Sequence, residues 1–223
     1  MASGGSTPRR LYQCLADPAF TGHLDWQRVH VYWGDERSVP LEDPQSNYRL
    51  ASESWLAHVP IPGDHIHPMQ ARPSSIDADA KSYGELLRML LPSPDGIPVL
   101  DLVLLGLGGD GHIASLFPGT DILKESRGPV AAVYVDRLHT WRISLTFQVL
   151  NAARHVMIIV AGDSKAEIVH RVLTNPPVGP ESGPDAGPRL PVQGLHATPT
   201  VEWYLDAAAA RLLPPDLIGG TAS

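Results

Sequence analysis

The run Asp101-Leu-Val-Leu-Leu-Gly-Leu-Gly-Gly-Asp-Gly-His112 sets an acid and a base directly after an apolar stretch. Residues 101–105 read as a strand, and in parallel sheets ligands bind beyond the carboxyl ends of strands. The glycines that follow let the backbone approach a ligand closely. His112 can change charge near neutral pH. Asp110 reaches the imidazole only if the turn curls, and that contact would raise the imidazole pKa and fix its tautomer. Such a pair suits general acid/base chemistry. A satisfied core histidine is the plainer reading, but four glycines and an aspartate at a strand end are a costly setting for mere packing. The glycines also match the dinucleotide pattern G-x-G-x-x-G, with Asp136 downstream for a ribose contact. Against that reading, Asp110 would sit where a pyrophosphate belongs, and Pro118-Gly119 ends the following segment after barely one turn.

Three further stretches could hold an anion. In Ser3-Gly-Gly-Ser-Thr-Pro8, Thr7 could cap a helix beginning at Pro8, while Gly4, Gly5 and Ser6 offer backbone N–H groups. The plainer reading is a helix start behind a flexible tail. Trp33-Gly-Asp-Glu-Arg37 follows the apolar run 29–33 and places Asp35 and Arg37 at a strand end. Arg37 could grip phosphate in bidentate fashion or pair internally with Asp35 or Glu36. Lys165, one of only three lysines, opens a helix after the run 155–161, and Arg142 opens Arg-Ile-Ser-Leu-Thr146. The ten histidines suggest no metal site: His65 and His67 have no third ligand near them in sequence and read as loop or strand residues. No Gly-x-Ser-x-Gly elbow is present.

Apolar runs at 29–33, 100–105, 130–135 and 155–161 fit strands buried on both faces. Helical patterns cover 47–58 (capped by Ser46), 77–91 (Ala80, Tyr83, Leu87 and Leu91 on one face) and 164–173. This alternation predicts an α/β fold with a mainly parallel sheet covered by helices. Residues 1–218 read as one domain, with a Pro/Gly-rich loop at 175–191 and a frayed tail at 219–223. A net charge of −7 disfavours nonspecific nucleic-acid binding, so an anionic substrate must be drawn by a few placed cations. The lone Cys14 makes no internal disulfide, and neither a membrane-spanning run nor a signal peptide is evident, which makes a cytoplasmic location the default.

Several blocks together resemble the 6-phosphogluconolactonase family, within the glucosamine-6-phosphate isomerase/6-phosphogluconolactonase superfamily. They are Ser-Gly-Gly-Ser-Thr-Pro at 3–8, Trp-Gly-Asp-Glu-Arg-Ser-Val-Pro at 33–40 and Gln-Ser-Asn-Tyr at 45–48. The longest, at 101–119, ends Ser-Leu-Phe-Pro-Gly, and Arg-Ile-Ser-Leu-Thr at 142–146, Gly162 with Lys165-Ala166, and Val-Glu-Trp-Tyr-Leu-Asp at 201–206 continue the likeness. The resemblance implies a modified Rossmann-like fold and hydrolysis of 6-phospho-D-glucono-1,5-lactone to 6-phosphogluconate, the second step of the oxidative pentose phosphate pathway. It implies no metal or organic cofactor, and a small sugar phosphate as the partner of a monomer or weak homo-oligomer. His112 would act as acid and base, Asp110 would orient it, and Gly4, Gly5, Ser6, Thr7, Asp35, Arg37, Arg142 and Lys165 would hold phosphate and sugar. Glucosamine-6-phosphate deaminases share the Asp-Gly-His loop but carry a glutamate five residues after the histidine, where this chain has Phe117. A sugar-phosphate-sensing domain is a third reading, for which no helix-turn-helix region remains. In the family a helix and a strand precede the Ser-Gly-Gly-Ser-Thr-Pro loop. Here the loop begins at residue 3, so the expectation is a sheet lacking its first strand and a loop without an anchor.

Overall fold

The computed structural model describes residues 1–2, 6–125, 128–175, 190–196 and 201–218. Gly4, Gly5, the tail 219–223 and most of the 175–191 loop lie outside them.

Short helices α1 (Ser6–Ala16) and α2 (Pro18–Thr21) lead to strands β1 (Val31–Tyr32) and β2 (Asp35–Arg37). Helix α3 (Asn47–Ser54), strand β3 (Ile66–His67) and helix α4 (Ile76–Leu90) follow, then β4 (Leu102–Leu105). The second half comprises β5 (Val130–Val135), β6 (Thr140–Leu145), α5 (Phe147–Ala152), β7 (His155–Val160), α6 (Ala166–Thr174), β8 (Val201–Leu205) and α7 (Ala207–Ala210).

The parallel pairs are β4 with β7, β7 with β8, and β1 with β3. Met1 and Ala2 lie between β4 and β1. The Met1 amine donates to Leu102 O (2.8 Å) and Leu104 N donates to Met1 O (3.4 Å). On the other side Ala2 N donates to Tyr32 O (2.7 Å), and Gly34 N donates to Ala2 O (3.0 Å). Two residues thus occupy the position where the sequence suggested a missing strand, and they join the two parallel groups across the middle of the sheet. Burial lowers the pKa of the Met1 amine to about 5.

The strand prediction needs two corrections. First, β2, β6 and β5 form a separate antiparallel sheet in that order. The polar run Asp35-Glu-Arg37, expected to follow a strand, is itself a strand, with Asp35 and Glu36 buried. Its charges hid it from a hydrophobic pattern, and the interior accepts them because each meets hydrogen-bond donors. Second, Val31, Tyr32 and Trp33 of the first apolar run are buried as expected, but among the described residues the runs at 100–105 and 155–161 are not covered on both faces. Val103 and Leu105 are buried, whereas Leu102, Leu104, Met157, Ile159 and Tyr204 line an open groove of about 970 Å³ beside Leu11 and Leu15 of α1.

Local signals explain the helices that carry the core. Ser46 caps α3, its hydroxyl accepting from Arg49 N, although the helix gives way to a 3-10 turn at Leu56–His58. Helix α4 buries Ile76, Ala80, Tyr83 and Leu87 at helical spacing. Gly84 on that face lets Pro129 approach, since an added Cβ would lie 3.2 Å from its ring. The Tyr83 hydroxyl accepts from Trp33 N (2.9 Å) and donates to His67 O (3.0 Å), so α4 ties the ends of β1 and β3. Helix α1 starts at Ser6, so Thr7 and Pro8 fall in its first turn and Thr7 is not the cap. Pro is tolerated there because the first-turn N–H groups have no helical partner.

Candidate active site

Strand β4 ends at Leu105 and the chain turns at once. Gly108 N donates to His112 O (2.9 Å), and Gly111 N donates to Gly108 O (2.9 Å). Gly111 adopts a positive φ of 80°, which favours glycine. The curled turn makes the contact that the two-residue spacing left open. Asp110 Oδ1 meets His112 Nδ1 at 2.5 Å and accepts from His112 N at 3.3 Å. With Nδ1 bound to Asp110, Nε2 keeps the free lone pair, and it makes no hydrogen bond among the described residues. The side chains of His112 and Asp110 are 27% and 23% exposed, so solvent or substrate can reach them.

The electrostatics correct one expectation. Burial lowers the His112 pKa, and the hydrogen bond and charge of Asp110, with Asp35 behind, only partly offset it. Arg137 lowers it further. The imidazole is therefore more firmly neutral at pH 7 than an Asp–His pair alone would suggest, as a general base requires. Burial pushes Asp110 up, but the hydrogen bonds and charge of His112, with Arg137, outweigh it and hold the carboxyl below its ordinary value.

Phe117 packs against His112, ring centroids 4.1 Å apart at 31°. Over the same ring stand the guanidinium carbons of Arg137 (4.9 Å) and Arg142 (5.6 Å). Arg37 and Arg142 are register partners across β2 and β6, so their side chains leave the same face of the ladder. Among the described residues Arg37 forms no ion pair with Asp35 or Glu36, the alternative that the sequence allowed. An Arg37 terminal nitrogen donates to Gln45 O, and Arg142 Nη1 stands 3.9 Å from Asp35 Oδ2. The Nε atoms of both are buried with no hydrogen-bond partner among the described residues. Like charges opposite each other in a ladder repel. Two guanidinium Nε–H groups without acceptors among the described residues could together hold a bound anion.

The remaining predicted residues divide. Lys165 Nζ donates to Leu107 O (2.7 Å), joining the start of α6 to the loop that carries His112. Asp35 is a buried strut: Ser115 Oγ donates to its Oδ2 (2.7 Å) and Asn47 Nδ2 to its Oδ1 (3.2 Å), leaving little for a substrate. Thr7 lines the groove beside α1, whose lining includes none of His112, Asp110, Arg37, Arg142 or Lys165. Gly4 and Gly5 are outside the described residues, and of Ser6 only the helical backbone is described.

Sequence reasoning missed Arg137 and Glu36. Arg137 lies in the turn after β5, and its Nη2 is 2.6 Å from Asp110 Oδ2. A basic residue directly after an apolar strand run was the available signal. Glu36 is fully buried and accepts from Arg37 N, Asn47 N, Ser46 Oγ and Tyr48 N at 2.8–3.0 Å. It fixes the start of α3 against β2, and nothing in its sequence setting marks it. His65 and His67 lie in a 3-10 turn and in β3, as loop and strand residues, and His30, just before β1, stands beside His67 with Nδ1 3.1 Å from Nε2. Among the described residues no group of three or more His, Cys, Asp or Glu is arranged to hold a metal ion, and no helix is long and apolar enough to cross a membrane.

Known proteins resemble this chain in sequence and fold. Residues 1–203 match the family of glucosamine-6-phosphate isomerases/6-phosphogluconolactonase. The 6-phosphogluconolactonase of Synechocystis sp. is 37% identical over 214 residues, covering 96% of this chain and 83% of that protein. That of Haemophilus influenzae is 35% identical, covering 95% and 85%. Among solved structures, the devB protein superimposes with a TM-score of 0.82 at 35% identity, covering 95% of this chain and 85% of the other. The 6-phosphogluconolactonase of Trypanosoma cruzi does so at 0.79 and 28% identity, covering 95% and 83%. A monomeric glucosamine-6-phosphate deaminase shares the fold, with a TM-score of 0.75 at 22% identity over 94% of this chain and 86% of that one. The chain belongs to the glucosamine-6-phosphate isomerase/6-phosphogluconolactonase family.

Proposed function

We infer that this protein hydrolyses 6-phospho-D-glucono-1,5-lactone to 6-phosphogluconate, the second step of the oxidative pentose phosphate pathway. One observation carries the reading: the His112–Asp110 pair, with Nε2 unbonded among the described residues, shares the Phe117 platform with Arg142, which stands in register with Arg37. In the proposed mechanism Nε2 of His112 takes a proton from water as its oxygen adds to the lactone carbonyl. The tetrahedral intermediate then breaks its bond to the ring oxygen, which receives that proton from His112. Atoms balance: one water is consumed, and the new acid ionises in solution. A positioned general base is worth roughly 10²–10⁴ in rate, which suits an ester already reactive in water. Arg37 and Arg142 bind the phosphate, with the 3–8 loop in support. Lys165 steadies Leu107 in the free protein and is near enough to the His112 loop to join the substrate. A small diffusible substrate suits a cytoplasmic enzyme working as a monomer or weak homo-oligomer.

Phe117 weighs against the deaminase reading, because a buried apolar ring beside His112 cannot carry a proton. The test is to generate the lactone in situ with a glucose-6-phosphate dehydrogenase and follow its loss. Wild-type protein accelerates the loss and His112→Ala does not. No acceleration by wild type rejects the function, full activity in His112→Ala rejects the mechanism, and ammonia release from glucosamine 6-phosphate revives the alternative.

A further inference from the structure

We propose that Arg137 is a positioning residue that sets the basicity and orientation of His112 by clamping the far oxygen of Asp110. The two carboxylate oxygens of Asp110 have separate partners: Oδ1 meets His112 Nδ1 at 2.5 Å and Oδ2 meets Arg137 Nη2 at 2.6 Å. A carboxylate held at one oxygen can swing about its last torsion, whereas one held at both cannot. Phe117 supports the two ends of this bridge, with the imidazole 4.1 Å and the guanidinium 4.9 Å from its ring centroid. Arg137 sits in the turn Asp136–Leu138, which is closed by His139 N donating to Asp136 O (3.1 Å), with His139 in the left-handed region. The clamp therefore joins the β5–β6 hairpin to the loop after β4, two elements of different sheets.

The charge matters as much as the geometry. The ionisable groups acting on His112 are Asp110 and Asp35, which favour its protonation, and Arg137, which opposes it. Arg142 faces the same Phe117 ring, and Lys165 is tied to Leu107 O. Without Arg137 the two carboxylates would act with one fewer opposing cation. More of the imidazole would be protonated at neutral pH, and so lost as a base.

The proposal rests on the lactonase reading for its kinetic arm only. In the substrate-free protein, the His112 imidazole is titrated by NMR in wild type, Arg137→Met and Arg137→Lys. Arg137→Met moves the His112 midpoint upward, and Arg137→Lys, which keeps the charge, returns it towards wild type. In lactone hydrolysis Arg137→Met lowers kcat by about ten-fold at pH 7, with KM within about two-fold, the size of loss typical when a partner of a working group is removed. The acid limb of its pH profile moves up with the NMR midpoint. Should Arg137→Met melt below the assay temperature, Arg137→Gln removes the same charge with a polar side chain. An unchanged His112 midpoint in the neutral variants overturns the proposal. A raised KM with unchanged kcat also overturns it and makes Arg137 a substrate ligand. If wild type proves inactive on the lactone, the functional reading fails while the titration still decides the clamp.

Discussion

Replacing Gly108 by alanine perturbs the site without touching a chemical group. A Cβ at this position would lie 1.9 Å from His112 Nδ1, 2.1 Å from His112 Cε1 and 2.7 Å from Asp110 Oδ1. Ordinary contact begins near 3.4 Å, so the imidazole must retreat by about 1.5 Å. The backbone gives no relief and exacts no penalty, because φ at Gly108 is not in the left-handed region and alanine can adopt it. The whole conflict falls on the two side chains, and the 2.5 Å Asp110–His112 contact cannot survive it. Misplacing a reacting group by about 1 Å can cost about 10²-fold in rate, so Gly108→Ala should lose at least ~10² in kcat. That corresponds to about 2.7 kcal/mol of barrier.

Stability should suffer less. His112 is partly exposed and can move outward, so overpacking should cost about 1–3 kcal/mol. For a chain of this length that lowers Tm by roughly 2–12 °C. Gly109 is the control: an added Cβ there meets nothing within 4 Å, and Gly109→Ala should keep kcat within about three-fold, as a substitution with no new contact should. The assay couples lactone generation to its hydrolysis and subtracts the spontaneous rate. If Gly108→Ala retains more than about a third of wild-type kcat, ten-fold or more above the level expected for a displaced base, the bonded His112 pose is not the working one.

Other perturbations test separate parts of the structure. Glu36→Ala removes the acceptor for one hydroxyl and three backbone N–H groups, each of which costs about 1–3 kcal/mol when left buried and unpaired. Thermal melting should show a loss of at least ~3 kcal/mol, and a fall of less than ~1 kcal/mol would mean that water replaces the carboxylate. Arg142→Met should raise KM by ten-fold or more with kcat nearly unchanged, about the 1.4 kcal/mol or more expected for loss of a charge-assisted contact. An unchanged KM would remove Arg142 from the phosphate site. Acidity should act on both rate and stability. The His112 pKa is lowered in the folded protein, so kcat/KM should hold through neutral pH and fall only below the ordinary histidine range. The sign for stability follows from linkage: as pH falls below about 6.5 the unfolded chain takes up the proton before the folded one, so His112 destabilises the fold from there down. His112→Gln should flatten that part of the stability–pH curve, and an unaltered curve would show that His112 is not the group responsible.

The sequence made the centre of this site legible because its signals are local. Gly106 to His112 is a strand end, a turn and a base within seven residues, and Ser46 announces the start of α3 through one hydroxyl. The parallel pairing of β4 with β7 follows from continuous apolar runs. What stayed hidden depends on partners far away in the chain. Glu36 looks like any surface glutamate until α3 turns its first N–H groups onto it. β2 has no apolar pattern, because its buried carboxylates are satisfied by the start of α3, ten to twelve residues on, and by Ser115, eighty residues on. The open groove beside α1 was equally illegible, since an apolar run says that a strand can be covered and not that it is.

The hairpin β5–β6 shows why these non-local pairings matter for chemistry. Its strand β6 pairs with β2 in the register that sets Arg142 opposite Arg37, and its turn carries Arg137 to Asp110. A one-residue slip of the hairpin against β2 would send Arg142 to the other face of the ladder, away from Arg37. It would also move Arg137 by about 3.4 Å, beyond reach of Asp110 Oδ2. Cation placement and base orientation thus both depend on the register of this hairpin against β2, and the hairpin joins the glycine loop in holding the groups around His112.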